Sequence, residues 1–188
     1  VSWARKMCIR DRLVSFTITE KGYALQKADG SWFQFVENDI KNGPDQVTGA
    51  MAVLVAMLLE RYKAGKYPLA LVSMDNCSQN GAKLRESVLM MAEEWRKAGF
   101  VDTDFIDYIS DENVIAFPWT MIDKITPRPS EQIAADLEAL GVEDMQPVIT
   151  SKQTYIAPFV NAEKPQYLVI EDSFPNGRPA LELSLIHI

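Results

Sequence analysis

Histidine is almost absent from this chain: there is one in 188 residues, His187, at the extreme C-terminus. Cysteine is nearly as scarce, with only Cys8 and Cys77. Residues 13–182 therefore hold no histidine and a single thiol. A Ser-His-Asp or Cys-His nucleophile system cannot be assembled from that span. A zinc site of thiolate and imidazole ligands is excluded for the same reason. Cys77 has no disulfide partner within it, which fits a reducing, cytoplasmic setting, and a packing role beneath a turn outweighs one as a reactive thiol. Glycine is thinly spread: no two glycines stand two residues apart, so no Gly-x-Gly-x-x-Gly phosphate fingerprint occurs. Long apolar runs are missing too. The longest in a helical region, Ala50 to Leu59, is ten residues and reads as a buried core helix rather than a membrane span. A net charge of −7 argues against wholesale binding to nucleic acid or to an anionic membrane.

What is present is an ordinary globular composition, 47% hydrophobic and 24% charged, on a length suited to one domain and a piece of another. The two ends stand apart from it. Residues 1–12 carry Arg5, Lys6, Arg10 and Arg12 against Asp11 alone, and residues 183–188 form an apolar tail. No apolar core of a signal peptide precedes residue 13. Met7-Cys8-Ile9-Arg10-Asp11-Arg12 and Ser184-Leu185-Ile186-His187-Ile188 resemble translated adapter sequence, so both ends are expected to be non-native tails on a longer protein.

Between them the chain alternates strand and helix signals. Leu13–Thr19 is apolar and β-branched and reads as a strand. A short helical piece near Phe35–Lys41 follows, then a helix expected from Gly43-Pro44-Asp45 to about Ala64, with Gly65 as its stop. Leu69–Met74 reads as a buried strand. A helix opened by Asn80 or Gly81 puts Leu84, Val88, Met91 and Trp95 on one face and ends at Gly99. Val114–Phe117 is the third strand. A last helix is expected from Ser130, with Ile133, Leu137 and Leu140 inward, to Gly141; Pro147–Ile156 and Gln166–Ile170 look extended. This rhythm predicts an α/β fold with parallel strands covered by helices.

Two of those strands run straight into polar turn-forming clusters: Asp75-Asn76-Cys77-Ser78-Gln79-Asn80-Gly81 after the second, and Thr120-Met121-Ile122-Asp123-Lys124 after the third. Open α/β sheets bind ligands beyond the carboxyl ends of their strands, so the carboxamides and carboxylates among these residues are site candidates. The competing explanation is that Asp75, Asn76 and Asn80 only make turns and cap the next helix. That explanation is favoured for Asn80; for Asn76 the two stand level.

Four blocks in order carry a resemblance: Thr17-Ile18-Thr19-Glu20-Lys21-Gly22-Tyr23; Ser73-Met74-Asp75-Asn76 with Asn80-Gly81; Phe117-Pro118 with Met121-Ile122-Asp123-Lys124-Ile125-Thr126-Pro127; and Glu171-Asp172-Ser173-Phe174-Pro175-Asn176-Gly177-Arg178-Pro179. Together they resemble the long-chain mannitol and polyol dehydrogenase family, which includes fructuronate and tagaturonate reductases. The resemblance runs from about Leu13 to Glu182. It implies a partial Rossmann-type doubly wound parallel sheet with the start of a second domain, incomplete at both ends. Residues 13–145 would be the later part of a Rossmann NAD(P)-binding domain and 146–182 a segment leading toward a catalytic domain. The family implies metal-independent, NAD- or NADP-dependent interconversion of a secondary alcohol and a ketone in a small-molecule polyol or hexuronate. It assigns Asn76 as the donor to the reacting oxygen beside the cofactor, Asp123 and Ile122 to the substrate pocket, and Thr19 to the cofactor ribose.

Departures from the family pattern matter as well. Its glycine-rich turn and ribose-binding acidic residue are missing from this chain. So is its Lys-x-x-x-x-Asn-x-x-His helix, which supplies the lysine base. Lys124 is not that lysine, and the chain on its own is expected to lack turnover. Ile122 and Lys124 stand where the family block has Val and Arg, conservative in size and charge. The alternatives from other classes are a nucleotide- or sugar-binding α/β module without chemistry of its own, and a scaffold in which Asp75, Asn76 and Asp123 only make turns.

Overall fold

The computed structural model describes residues 11–122, 128–160 and 169–180. They fall into two compact units, one within Val1–Ile122 and Leu168–Ile188, the other within Asp123–Tyr167. The first is built on a parallel sheet of β1 (Leu13–Phe16), β2 (Leu69–Ser73) and β3 (Ile115–Ala116), with β2 in the centre. Leu13 pairs with Ala70 and Phe16 with Ser73 on one side of β2; Leu69 pairs with Ile115 on the other. The expected parallel arrangement is therefore present.

Every residue of β2 is buried, as a central strand requires. Its side chains alternate between two apolar clusters. Leu69 and Leu71 join Ile115 and Phe117 in the main core, against α3 (Ala50–Gly65), α4 (Asn80–Lys97) and α5 (Thr103–Ser110). Ala70 and Val72 join Ala116 on the opposite face, where Ile170 and Phe174 pack. On α4, Leu84, Val88, Met91 and Trp95 are all buried, so the three- and four-residue spacing marks the core face as expected.

Two boundaries and one further element differ from the sequence reading. Strand β1 stops at Phe16, and Thr19 instead precedes the short helix α1 (Glu20–Tyr23). Helix α3 begins at Ala50 rather than at Gly43-Pro44-Asp45. Its cap comes from another helix, α2 (Gln34–Asn42): buried Asp39 accepts from Thr48 N at 2.8 Å, Thr48 Oγ1 at 3.0 Å and Gly49 N at 2.7 Å. Helix α5 was not expected. Asp102 caps it by accepting from Phe105 N at 2.9 Å, and Phe105, Tyr108 and Ile109 are its buried stripe.

Two two-residue strands, β4 (Thr120–Met121) and β7 (Val169–Ile170), pair antiparallel, with Thr120 opposite Ile170. The second unit holds α6 (Glu131–Ala139) and a hairpin of β5 (Val148–Ile149) and β6 (Tyr155–Ile156). Ile133 and Leu137 are half-buried there, but Leu140 is 81% exposed. It lies past the last turn of α6, at the C-cap, so its side chain leaves the apolar face. No helix among the described residues is long and apolar enough to cross a membrane.

Candidate functional site

The carboxyl ends of β1, β2 and β3 lie at one edge of the parallel sheet, and three polar segments leave from it. Thr19, exposed, follows β1 at the start of α1, where its carbonyl accepts from Gly22 N at 2.7 Å. The segment after β2 carries Asp75, Asn76, Cys77 and Asn80. The segment after β3 carries Thr120 and Ile122.

Asp75 organises the first turn of the β2 segment. Its Oδ1 accepts from Cys77 N at 2.8 Å, and its Oδ2 accepts from Ser73 Oγ at 2.6 Å and from the Tyr23 hydroxyl. Tyr23 is 5% exposed and its hydroxyl also meets Ser73 Oγ. Burial pulls the Asp75 carboxyl upward, but the bonds from Ser73, Tyr23, Cys77 and Asn80 outweigh it and hold Asp75 below the usual carboxylate range. Burial and the bond to Asp75 push the Tyr23 hydroxyl well above an ordinary phenol. Asp75 is thus a fixed anion and Tyr23 a fixed neutral donor.

Asn76 is exposed, and its Oδ1 accepts from Ile122 N at 3.2 Å. The structure therefore joins two of the expected site residues directly. Asp123 lies outside the described residues, and Thr19 stands on the separate β1 segment. Cys77 packs half-buried against the main core, with the Lys83 ammonium 3.4 Å from its Sγ.

Asn80 does more than open α4. It is fully buried, and Oδ1 accepts from Gly81 N at 2.9 Å and from Thr120 N at 3.0 Å. Its Nδ2 lies 2.8 Å from Thr120 Oγ1 and 3.2 Å from the carbonyls of Ser73 and Asp75. Gly81 beside it allows the start of α4 to touch β3: a Cβ there would stand 2.2 Å from Phe117 O. Tyr23 and Thr120 are the members of this strand-end network that sequence reasoning passed over. Tyr23 ends the first family block, while Thr120 carries no local signal beyond its place after an apolar strand. No group of three or more His, Cys, Asp or Glu among the described residues could hold a metal ion.

Residues 4–183 match the mannitol dehydrogenase Rossmann domain. D-mannonate oxidoreductase of Thermotoga maritima is 57% identical over 91% of this chain and 31% of its own length. Mannitol 2-dehydrogenase of Phaeosphaeria nodorum is 32% identical over 94% of this chain and 28% of its own. Among solved structures, the ternary complex of Pseudomonas fluorescens mannitol 2-dehydrogenase with NAD and D-mannitol has a TM-score of 0.61 at 27% identity. It is matched over 97% of this chain and 34% of that one. The chain thus spans about a third of the length of these relatives. With the four sequence blocks, the parallel sheet and the match over 4–183 in agreement, the chain belongs to the mannitol dehydrogenase family and corresponds to its Rossmann domain.

Proposed function

We propose that this chain is part of an NAD(P)-dependent oxidoreductase interconverting a secondary alcohol and a ketone in a sugar alcohol or hexuronate. The reaction is of the mannitol–fructose or mannonate–fructuronate type, and 57% identity to D-mannonate oxidoreductase favours the sugar acid. The observation that carries the reading is the exposed carboxamide of Asn76, beyond the end of the central strand, with Oδ1 engaged by the Ile122 N–H. A backbone N–H can only donate, so that bond fixes which end of the amide is oxygen. The NH2 end is then the donor turned away from Ile122. A ketone gains negative charge on oxygen as hydride arrives, and a donor already oriented stabilises that charge without reorganising.

A nicotinamide dinucleotide, NAD or NADP, supplies the hydride acceptor or donor when bound. The residues present fit its nicotinamide end: Thr19 and Asn76 are exposed polar side chains just beyond the ends of β1 and β2. Thr19 would hold the ribose. Ile122 would give the pocket an apolar wall that excludes water, and Asp123 would accept from substrate hydroxyls. The pyrophosphate cradle and the lysine that takes the hydroxyl proton are assigned to the rest of the whole protein, since neither motif occurs in this sequence.

The test is an assay of the whole protein on mannonate and on mannitol, each with NAD and with NADP, following the absorbance of reduced nicotinamide. Saturable reduction with at least one pair is expected. No turnover with any pair would contradict the proposal.

A further inference from the structure

The bond that orients Asn76 comes from Ile122 N, and Ile122 stands two residues beyond Thr120. What holds Thr120 therefore bears on Asn76. Strand β4 is only two residues long, and a pairing that short is a weak anchor on its own. Asn80 provides the second anchor. Its amide closes on Thr120 from both ends, accepting from the backbone N–H at 3.0 Å and reaching Oγ1 at 2.8 Å. Thr120 Oγ1 in turn donates to the carbonyl of Ser73, the last residue of β2. The same Asn80 amide lies 3.2 Å from the carbonyls of Ser73 and Asp75, on either side of Met74. One buried carboxamide thus ties the β2 segment, which carries Asn76, to the β3 segment, which carries Ile122.

A helix cap alone does not require this arrangement. A capping Asn bonds the N–H two or three residues onward, whereas Asn80 uses one bond on Gly81 N and directs the others to strand ends. We infer that Asn80 is a positioning residue for the Asn76 carboxamide, acting through Thr120 and Ile122. The inference rests on the reading of Asn76 as donor to the reacting oxygen. At 3.2 Å the Ile122–Asn76 bond is already at the long end of the ordinary range. A shift of Thr120 by a few tenths of an ångström releases it. The Asn76 amide then loses the backbone donor that fixes its oxygen end, and its NH2 is no longer held in the same place.

The experiment uses the whole protein. Asn80→Asp keeps the volume and an acceptor for Gly81 N and Thr120 N, but sets a carboxylate oxygen against the Ser73 and Asp75 carbonyls. Thr120→Val removes the Oγ1 link and keeps the branched shape; Thr120→Ser restores the hydroxyl. Each is measured alone and with Asn76→Ala for kcat, for cofactor Kd by fluorescence titration, and for the primary deuterium isotope effect. Asn80→Asp and Thr120→Val should lower kcat about 10- to 100-fold, the scale of an ångström-size misplacement. The isotope effect should rise, cofactor Kd should stay unchanged, and Thr120→Ser should recover the rate. In the Asn76→Ala background neither change should slow the enzyme further, because residues acting through one group are not additive. Additive losses, or wild-type kcat in both variants while Asn76→Ala is slow, overturn the inference and leave the role of Asn76 intact. Wild-type kcat in Asn76→Ala itself overturns the functional reading and this inference with it. If Asn80→Asp does not fold, the Thr120 pair carries the test.

Discussion

Alanine at Gly81 would drive a methyl group into the backbone of Phe117. A Cβ built there lies 2.2 Å from Phe117 O, 2.6 Å from Trp119 Cδ1 and 3.1 Å from Phe117 C. Trp119 is 47% exposed and its ring can swing away, but the Phe117 carbonyl belongs to the chain leaving β3. Ordinary contact for a Cβ begins near 3.4 Å, so the start of α4 must retreat by about 1 Å. Asn80 retreats with it and its bonds to Thr120 lengthen. Overpacking of this kind costs about 1–3 kcal/mol, and a weakened buried hydrogen bond adds about 1 kcal/mol. A total of about 3 kcal/mol corresponds to a fall in Tm of roughly 6–12 °C for a chain of this size. Urea and thermal unfolding of the purified chain, followed by circular dichroism, measure it. Gly30→Ala is the control: its Cβ meets nothing within 4 Å, so only the strain of its φ of +81° is felt, about 1 kcal/mol. If Gly81→Ala is no more destabilising than Gly30→Ala, α4 is not seated on β3 as described.

Asp39→Ala removes the side chain that bonds Thr48 and Gly49 ahead of α3, and should cost about 2–3 kcal/mol in urea unfolding; a loss below about 0.5 kcal/mol would remove Asp39 as the cap. The Tyr23 hydroxyl is held above the ordinary value of 10.0 by burial first and by Asp75 next. A raised folded-state pKa gives stability that is whole below the unfolded value and lost as pH rises past it. The stability of wild type relative to Tyr23→Phe should therefore decline between about pH 9 and pH 11, and a constant difference would contradict this. Asp123→Ala in the whole protein should raise KM about 10-fold or more, the scale of one charged hydrogen bond, with kcat little changed; an unaltered KM removes Asp123 from the pocket.

The parallel sheet was legible because its evidence is local. Leu69–Ser73 is a continuous apolar run and α4 repeats its apolar residues every three or four positions, and both patterns survive folding unchanged. The start of α3 was not legible, because its cap belongs to Asp39 on another helix and no spacing within 43–50 announces it. Helix α5 did carry a signal, Asp102 ahead of Phe105, Tyr108 and Ile109, but eight residues between two stronger elements were easily passed over. At the site, the place of Asn76 just beyond a buried strand left donor and turn-former level, and only the family resemblance assigned it as donor. The work of Tyr23 and Asn80 could not be read, since their partners lie 50 and 40 residues away in sequence and meet only when three strand ends come together.

The direct measurement is turnover against cofactor affinity for Asn76→Ala in the whole protein. Loss of the fixed donor should lower kcat by about 10²–10³, the usual cost of removing one oxyanion-type contact, while Kd for the dinucleotide stays at its wild-type value. Near-wild-type turnover in a folded variant would contradict the central claim and leave Asn76 as a residue that only shapes the turn after β2.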